Sequence, residues 1–143
     1  MIVDANVLLY AVDTTCRFHA EARTWLVDAI NGPRRVGLPW PSLLAFQRIA
    51  THPRVFDAPL TPSQAWSHIA DWLAQPQVWI PTPGPRHAEI LGQLILETDA
   101  AAGLVPDAHL AALALEYGMG VCSFDSDFAR FPAVSWLRPH VVG

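Results

Sequence analysis

The stretch GVCSFDSDFARF, Gly120 to Phe131, decides how the rest of the chain is read. A mostly apolar run, Val121 to Phe124, meets two carboxylates two positions apart, Asp125 and Asp127. A short apolar run bounded by glycine and by polar residues reads as a buried strand. The acids then stand just past its carboxyl end, and DSDFAR continues as a short helical turn. Like charges this close disfavour each other's ionised form. A chain with few charges needs a reason to place them there.

The rest of the chain alternates short apolar strands with amphipathic helices. MIVD is a strand ended by a polar residue. FHAEARTWLVDAIN carries Phe18, Ala22, Trp25, Leu26, Ala29 and Ile30 at helical spacing, with Gly32-Pro33 as a stop. RVGLP reads as a second strand and WPSLLAFQRIAT as a helix with Pro41 in its first turn and Pro53 just past its end. TPSQAWSHIADWLAQ is a further helix, VWIP a third strand and PRHAEILGQLILE a helix. LVPDAHLAALALEYG is the clearest helix, opened near Pro106 and closed by Gly118. GVCSF is a strand and VSWL a last one. This alternation implies an α/β fold with a parallel sheet of four to five strands, covered by helices on both faces. The Pro-dense IPTPGPR, Ile80 to Arg86, is a turn and not a domain boundary, so residues 1–143 form one domain.

Composition restricts the class. Hydrophobic residues make up 52% of the chain and charged residues 15%, which argues against disorder. No apolar run reaches the roughly 18 residues of a membrane span. MIVDANVLLYAV lacks a basic leader and contains Asp4, so it is not expected to be a signal peptide. Cys16 and Cys122 offer neither a disulfide framework nor a metal spacing, which points to reduced thiols in a cytoplasm. The formal net charge of −4 argues against a general nucleic-acid binder. Acids gathered at one metal site, however, would lower the total without covering a binding face. All nine cations are Arg. Arg34, Arg35, Arg48, Arg54, Arg86 and Arg130 are read as solvated charges, a subset of which could hold phosphates.

In open parallel sheets ligands bind beyond the carboxyl ends of the strands. Asp4 lies at that end of the first strand and Asp125 at that end of the GVCSF strand. Asp107 opens a helix and shares a face with Leu110, Ala111 and Ala114. Singly, Asp4 fits a turn, Asp107 an acid favoured by a helix dipole, and Asp125 an N-cap. Together, in this topology, they favour a cation site, because a buried acid cluster is costly without one. Oxygen-only ligands suit Mg²⁺ or Mn²⁺. His19, His52, His68, His87 and His109 are scattered and read as structural.

MIVDANVLLYA at the start, DAHLAALALEYG in the last third and SFDSDFARF after it resemble the three signature segments of the PIN domain. They are most similar to the VapC-type toxin ribonucleases of bacterial toxin–antitoxin pairs, and HAEARTW (His19 to Trp25) and ATHPRVF (Ala50 to Phe56) look like one VapC branch. The resemblance spans essentially the whole chain. It implies a Rossmann-like sheet and single-stranded RNA cleavage by metal-activated water, leaving a 3′ hydroxyl. It also implies that Asp4, Asp107 and Asp125 bind Mg²⁺ or Mn²⁺, that Asp127 is an accessory acid, and that Asn6 and Ser123 orient the site.

One position departs from the family pattern, which usually has a Glu immediately before an aromatic residue in the helix after the second strand. Here Ala45 precedes Phe46, and no acid occurs between Asp28 and Asp57. Glu97 and Asp99 are the candidates to compensate. The alternative function is therefore a PIN-like module that binds RNA or an antitoxin and cleaves weakly or not at all. A haloacid-dehalogenase-type phosphatase is disfavoured because Asn6 stands where its second Asp belongs and the chain has no Lys. The expected partners are RNA, a VapB-type antitoxin and a second copy of the chain. The dimer is expected from the high apolar fraction and from Trp66, Ile69, Trp72 and Leu73 at helical spacing.

Overall fold

The computed structural model describes residues 1–140. In chain order the elements are β1 (Ile2–Val3), α1 (Ala5–Val12), α2 (His19–Asn31), β2 (Val36–Gly37), α3 (Trp40–Ala50), α4 (Pro62–Leu73), β3 (Val78–Trp79), α5 (His87–Thr98), α6 (Leu104–Glu116), β4 (Val121–Cys122), a 3-10 helix (Ser126–Arg130) and β5 (Trp136–Leu137). The strands form one sheet in the order β3-β2-β1-β4-β5. Every pairing is parallel, with Ile2 opposite both Gly37 and Val121, and Val3 opposite Cys122. Successive residues of a strand face opposite sides, and the core follows that rule. Val3 and Cys122 pack with Val7, Leu26, Leu43, Phe46 and Ile69 beneath α1 to α4. Ile2 and Val121 pack with Leu110, Leu113, Phe128 and Phe131 beneath α6 and the 3-10 helix.

The sequence pattern gives no helix between Asp4 and Phe18, yet α1 occupies Ala5–Val12. Its sequence, ANVLLYAV, is apolar on nearly every position, and Ala5, Val7, Leu8 and Leu9 are buried. A helix covered this fully has no polar face, so it produces no 3.6-residue periodicity to detect. Asp4 opens it as N-cap, its side chain accepting from the Ala5 N–H.

The other helix ends follow their local chemistry. Thr61 and Gln64 close a reciprocal capping box at the start of α4. Gly118, at φ 66°, ends α6. The Met119 N–H reaches back to the Ala114 carbonyl and the Gly118 N–H to that of Leu115, the hydrogen-bond pair of a Schellman turn. The α4 stripe divides between two roles. Ile69 is fully buried and Trp72 packs edge-on against Phe46, whereas Trp66 remains exposed.

Gly120 marks the tightest point of the sheet. A Cβ there would stand 2.7 Å from the Ser135 carbonyl oxygen and 2.9 Å from the Met1 sulfur. That carbonyl accepts the Val121 N–H, so it cannot retreat without loosening the β4–β5 pairing. Gly120→Ala should therefore lower unfolding free energy by about 1–3 kcal/mol, the usual cost of overpacking. Gly92, inside α5, is the control, because a Cβ added there would meet nothing within 4 Å. Gly92→Ala should stabilise by about 0.5–1 kcal/mol. Urea denaturation of both variants measures the pair.

Candidate metal centre and active site

The strand order reverses between β1 and β4: from β1 the chain builds outward to β2 and β3, and from β4 to β5. A crevice at the carboxyl ends of the strands follows from such a reversal. Asp4 follows β1 directly, and Ser123, Phe124 and Asp125 follow β4. Asp107, in the first turn of α6, faces the same crevice.

A hydrogen-bonded frame fixes these groups. The buried Ser123 hydroxyl donates to Asp4 Oδ2 at 2.7 Å. It accepts from Asn6 Nδ2 at 3.1 Å and from the Asp125 N–H at 3.0 Å. A serine hydroxyl has one proton and two lone pairs, so its capacity is filled. Asn6 Oδ1 accepts the Phe124 N–H at 3.1 Å, which decides the orientation of its amide. Asp4 Oδ1 accepts from Ala5 N–H, and Asp125 Oδ1 accepts from Asp127 N–H. Ser42 Oγ, buried in the first turn of α3, donates to the Val3 carbonyl and ties that helix to the end of β1. Trp136 Nε1 and Arg138 Nη1 hold the carbonyls of Ser123 and Phe124 from the β5 side.

Within this frame Asp107, Asp125 and Asp127 each offer a carboxylate oxygen, and the three oxygens lie within 4.8 Å of one another. Asp4 stands beside that group, with both its oxygens engaged by Ala5, Ser123 and Asn6. Glu97 and Asp99 do not join it. Glu97 is exposed and accepts from Gln93, and Asp99 closes α5 in the left-handed conformation. Ala45 lies half-buried on α3, three residues after Ser42 and thus on the same helix face.

Electrostatics record the crowding. Burial, then the charges of Asp125, Asp4 and Asp127, raise the Asp107 pKa to about 7. Burial also raises Asp4, opposed by the Ser123 and Ala5 hydrogen bonds and reinforced by Asp125. Among the described residues no Arg or His lies within 4.0 Å of any of these four carboxylates. Carboxylate oxygens that converge, repel and lack a cationic side chain are the donor set of a hard divalent cation, and the residues present fit Mg²⁺ or Mn²⁺.

A family model described as PIN domain matches residues 1–134. The chain belongs to the PIN-domain family. Ribonuclease VapC37 of Mycobacterium tuberculosis is 49% identical over 138 residues, covering 96% of each chain. Ribonuclease VapC33 of the same species is 43% identical over 139 residues, covering 97% of each. Among solved structures, VapBC2 from Rickettsia felis bound to a promoter DNA fragment superposes with a TM-score of 0.70 at 13% identity. That match covers 97% of this chain and 98% of the other. FitAB bound to the IR36 DNA fragment gives 0.68 at 16%, covering 99% and 97%. At those identities the structural matches establish the PIN fold, a five-stranded parallel sheet flanked by helices.

The raised pKa of Asp107 sets a pH dependence whose sign follows from linkage. Between the ordinary 3.8 and about 7 the folded chain holds a proton that the unfolded chain has released. Stability of the ion-free protein therefore falls as pH rises across that window. Melting temperature in a chelator should drop from about pH 5 to pH 8, and Asp107→Asn should flatten the drop. Added Mn²⁺ should raise the melting temperature most at the alkaline end, because the carboxylate must be unprotonated to bind it. An identical pH profile for the wild type and Asp107→Asn would contradict the assignment.

Proposed function

We propose that this PIN-domain protein is a metal-dependent endoribonuclease and the toxin of a type II toxin–antitoxin pair, acting on single-stranded RNA in the cytoplasm. The convergence of Asp107, Asp125 and Asp127 at the reversal of strand order carries this reading. The whole-length similarity to proteins named ribonucleases supports it.

Asp4, Asp107 and Asp125 would hold the ion, with Asp127, whose carboxylate oxygen lies beside those of Asp107 and Asp125, serving from the exposed side as an accessory acid. A bound Mg²⁺ or Mn²⁺ supplies charge that lowers the pKa of a water and offsets the phosphate's developing charge. The chain's own residues supply position. Ser123 and Asn6 fix Asp4 and the backbone that carries Asp125, so the carboxylates meet the substrate without rearranging. Ser123 is unsuited to attack, because it is fully buried and its hydroxyl is filled by three hydrogen bonds. The nucleophile on this reading is the water that a bound cation would activate.

A VapB-type antitoxin is the expected partner, since the structural neighbours include VapBC complexes. A homodimer is proposed from the exposed apolar side chains, which include Trp66 and Leu96. No helix among the described residues is long and apolar enough to cross a membrane.

Asp125→Asn removes a charge and little volume. It should abolish Mn²⁺-dependent cleavage of single-stranded RNA with the fold retained, and cleavage at the wild-type rate would refute the site. Ala45 favours a second reading, a binding module with weak nuclease activity. An outer partner of a metal site is typically worth about 10–100-fold in affinity or activity. If a family-type Glu is missing at this position, Ala45→Glu should lower the Mn²⁺ concentration for half-maximal cleavage by about that factor. Unchanged metal dependence in a stably folded variant would show that Ala45 is not the vacant position. Helix propensity differs little between Ala and Glu, so melting temperature is a clean control.

A further inference from the structure

We propose that Arg17 and Arg138 form an anion clamp that grips RNA phosphates at the rim of the acidic crevice, a role resting on the ribonuclease reading above. The sequence pattern singles out neither residue. Both guanidiniums converge on one ring: Arg17 stands 4.5 Å and Arg138 5.1 Å from the centre of Phe18. Arg138 also lies 5.3 Å from the centre of Phe124, whose ring stacks on Phe18 at 5.2 Å. Tyr10 closes the group, 5.1 Å from Phe124 and 5.9 Å from Phe18.

The placement relative to the acids is fixed through the main chain. Arg138 Nη1 donates to the carbonyl of Phe124 at 2.9 Å, and Phe124 directly precedes Asp125. A guanidinium has five N–H donors in a rigid fork. Among the described residues Arg138 uses one of them, and its side chain is otherwise exposed. The Tyr10 hydroxyl is raised in pKa by burial and by Cys16 and Asp4, and lowered by Arg138 and Arg17. It therefore stands within electrostatic reach of the acidic crevice and of both cations.

Two like charges gathered around one aromatic ring repel each other. Among the described residues neither has a carboxylate within 4.0 Å. The aromatic rings orient the guanidiniums and contribute cation–π attraction, and they leave the outward N–H donors without an anion. A phosphodiester whose scissile phosphate lies at Asp125 has neighbouring phosphates along its backbone to meet those donors. Planar, bidentate recognition of phosphate is the task for which Arg is suited over Lys. The chain is net negative, so a local clamp supplies attraction that the molecule as a whole does not.

The test separates grip from chemistry by measuring RNA binding in an Asp125→Asn parent, which binds without cutting. A labelled single-stranded RNA is titrated by fluorescence anisotropy across a salt series. Adding Arg138→Gln should weaken binding about tenfold and reduce the slope of log affinity against log salt by about 0.7, the value for one lost phosphate contact to a single strand. Arg17→Gln should do the same. Arg138→Lys should retain the slope, since the charge remains. Arg34→Gln, just before β2 and so at the amino ends of the strands, away from the crevice, should leave binding and slope unchanged. Mn²⁺ affinity of Arg138→Gln in the otherwise wild-type chain should equal that of the wild type. RNA binding and salt slope unaltered by Arg138→Gln would overturn the clamp alone. A changed Mn²⁺ affinity would also overturn it, by showing that Arg138 acts on the acids. A parent that binds no RNA at any salt would overturn the ribonuclease reading itself. Melting temperatures within a few degrees of the parent's confirm that loss of the Phe124 bond has not unfolded the loop.

Discussion

The bond from the Ser123 hydroxyl to Asp4 Oδ2, 2.7 Å long, joins the ends of the two strands at which the sheet reverses its order. It spans most of the chain in sequence and lies in a buried spot, where an unmade hydrogen bond costs about 1–3 kcal/mol. The same hydroxyl oxygen receives Asn6 Nδ2 and the Asp125 N–H, so one atom positions the carboxylate that follows β1 and the backbone of another after β4. Removing the hydroxyl would leave all three partners without this bond. The parallel pairing of β1 with β4 brings these residues together, and the hydroxyl converts that proximity into a fixed geometry.

The frame holds Asp4 and Asp125, and the packing of α6 holds Asp107, against their mutual repulsion. Asp107 is the clearest case. Burial and three neighbouring carboxylates raise its pKa to about 7, where an unperturbed Asp would be fully ionised. The core beneath α6, from Ala108 to Ala114, supplies the burial that keeps the helix in place despite this. The fold thus holds an unfavourable charge arrangement in place, which on the metal-dependent reading proposed above would leave little reorganisation for a cation to cause. Such local conflict between stability and placement is expected at functional sites.

Most of this was legible in the sequence, for identifiable reasons. The amphipathic helices α2 to α5 carry strong periodic or capping signals. The strands are apolar runs between breakers, and Asp4, Asp107 and Asp125 sit where strand ends and a helix start must place them. The α1 helix was hidden because burial on nearly all sides erases its period. The near-equal standing of Asp127 with Asp107 and Asp125 was hidden too, because it depends on the tight turn in which Asp125 caps the 3-10 helix. Ser42 gave no signal, since a buried serine bonding one carbonyl across the sheet edge looks in sequence like any helix-start serine. Arg17 and Arg138 could not be linked to Phe18 from their positions alone, because their meeting is purely tertiary.

Phe124 shows how closely the two signs of charge depend on each other. Its N–H is held by Asn6 on the acidic side, and its carbonyl by Arg138 on the basic side. Its ring is the floor on which Phe18 and Tyr10 pack. Flanked by Ser123 and Asp125, it is the point at which the acid frame and the arginine pair share one stretch of backbone. A shift of this loop would move the carboxylate and the guanidinium together and not independently. The separation between acids and cations along a bound strand is therefore set by covalent geometry and two hydrogen bonds. On the clamp proposed above, an anionic strand would meet both signs of charge at this one stretch of backbone.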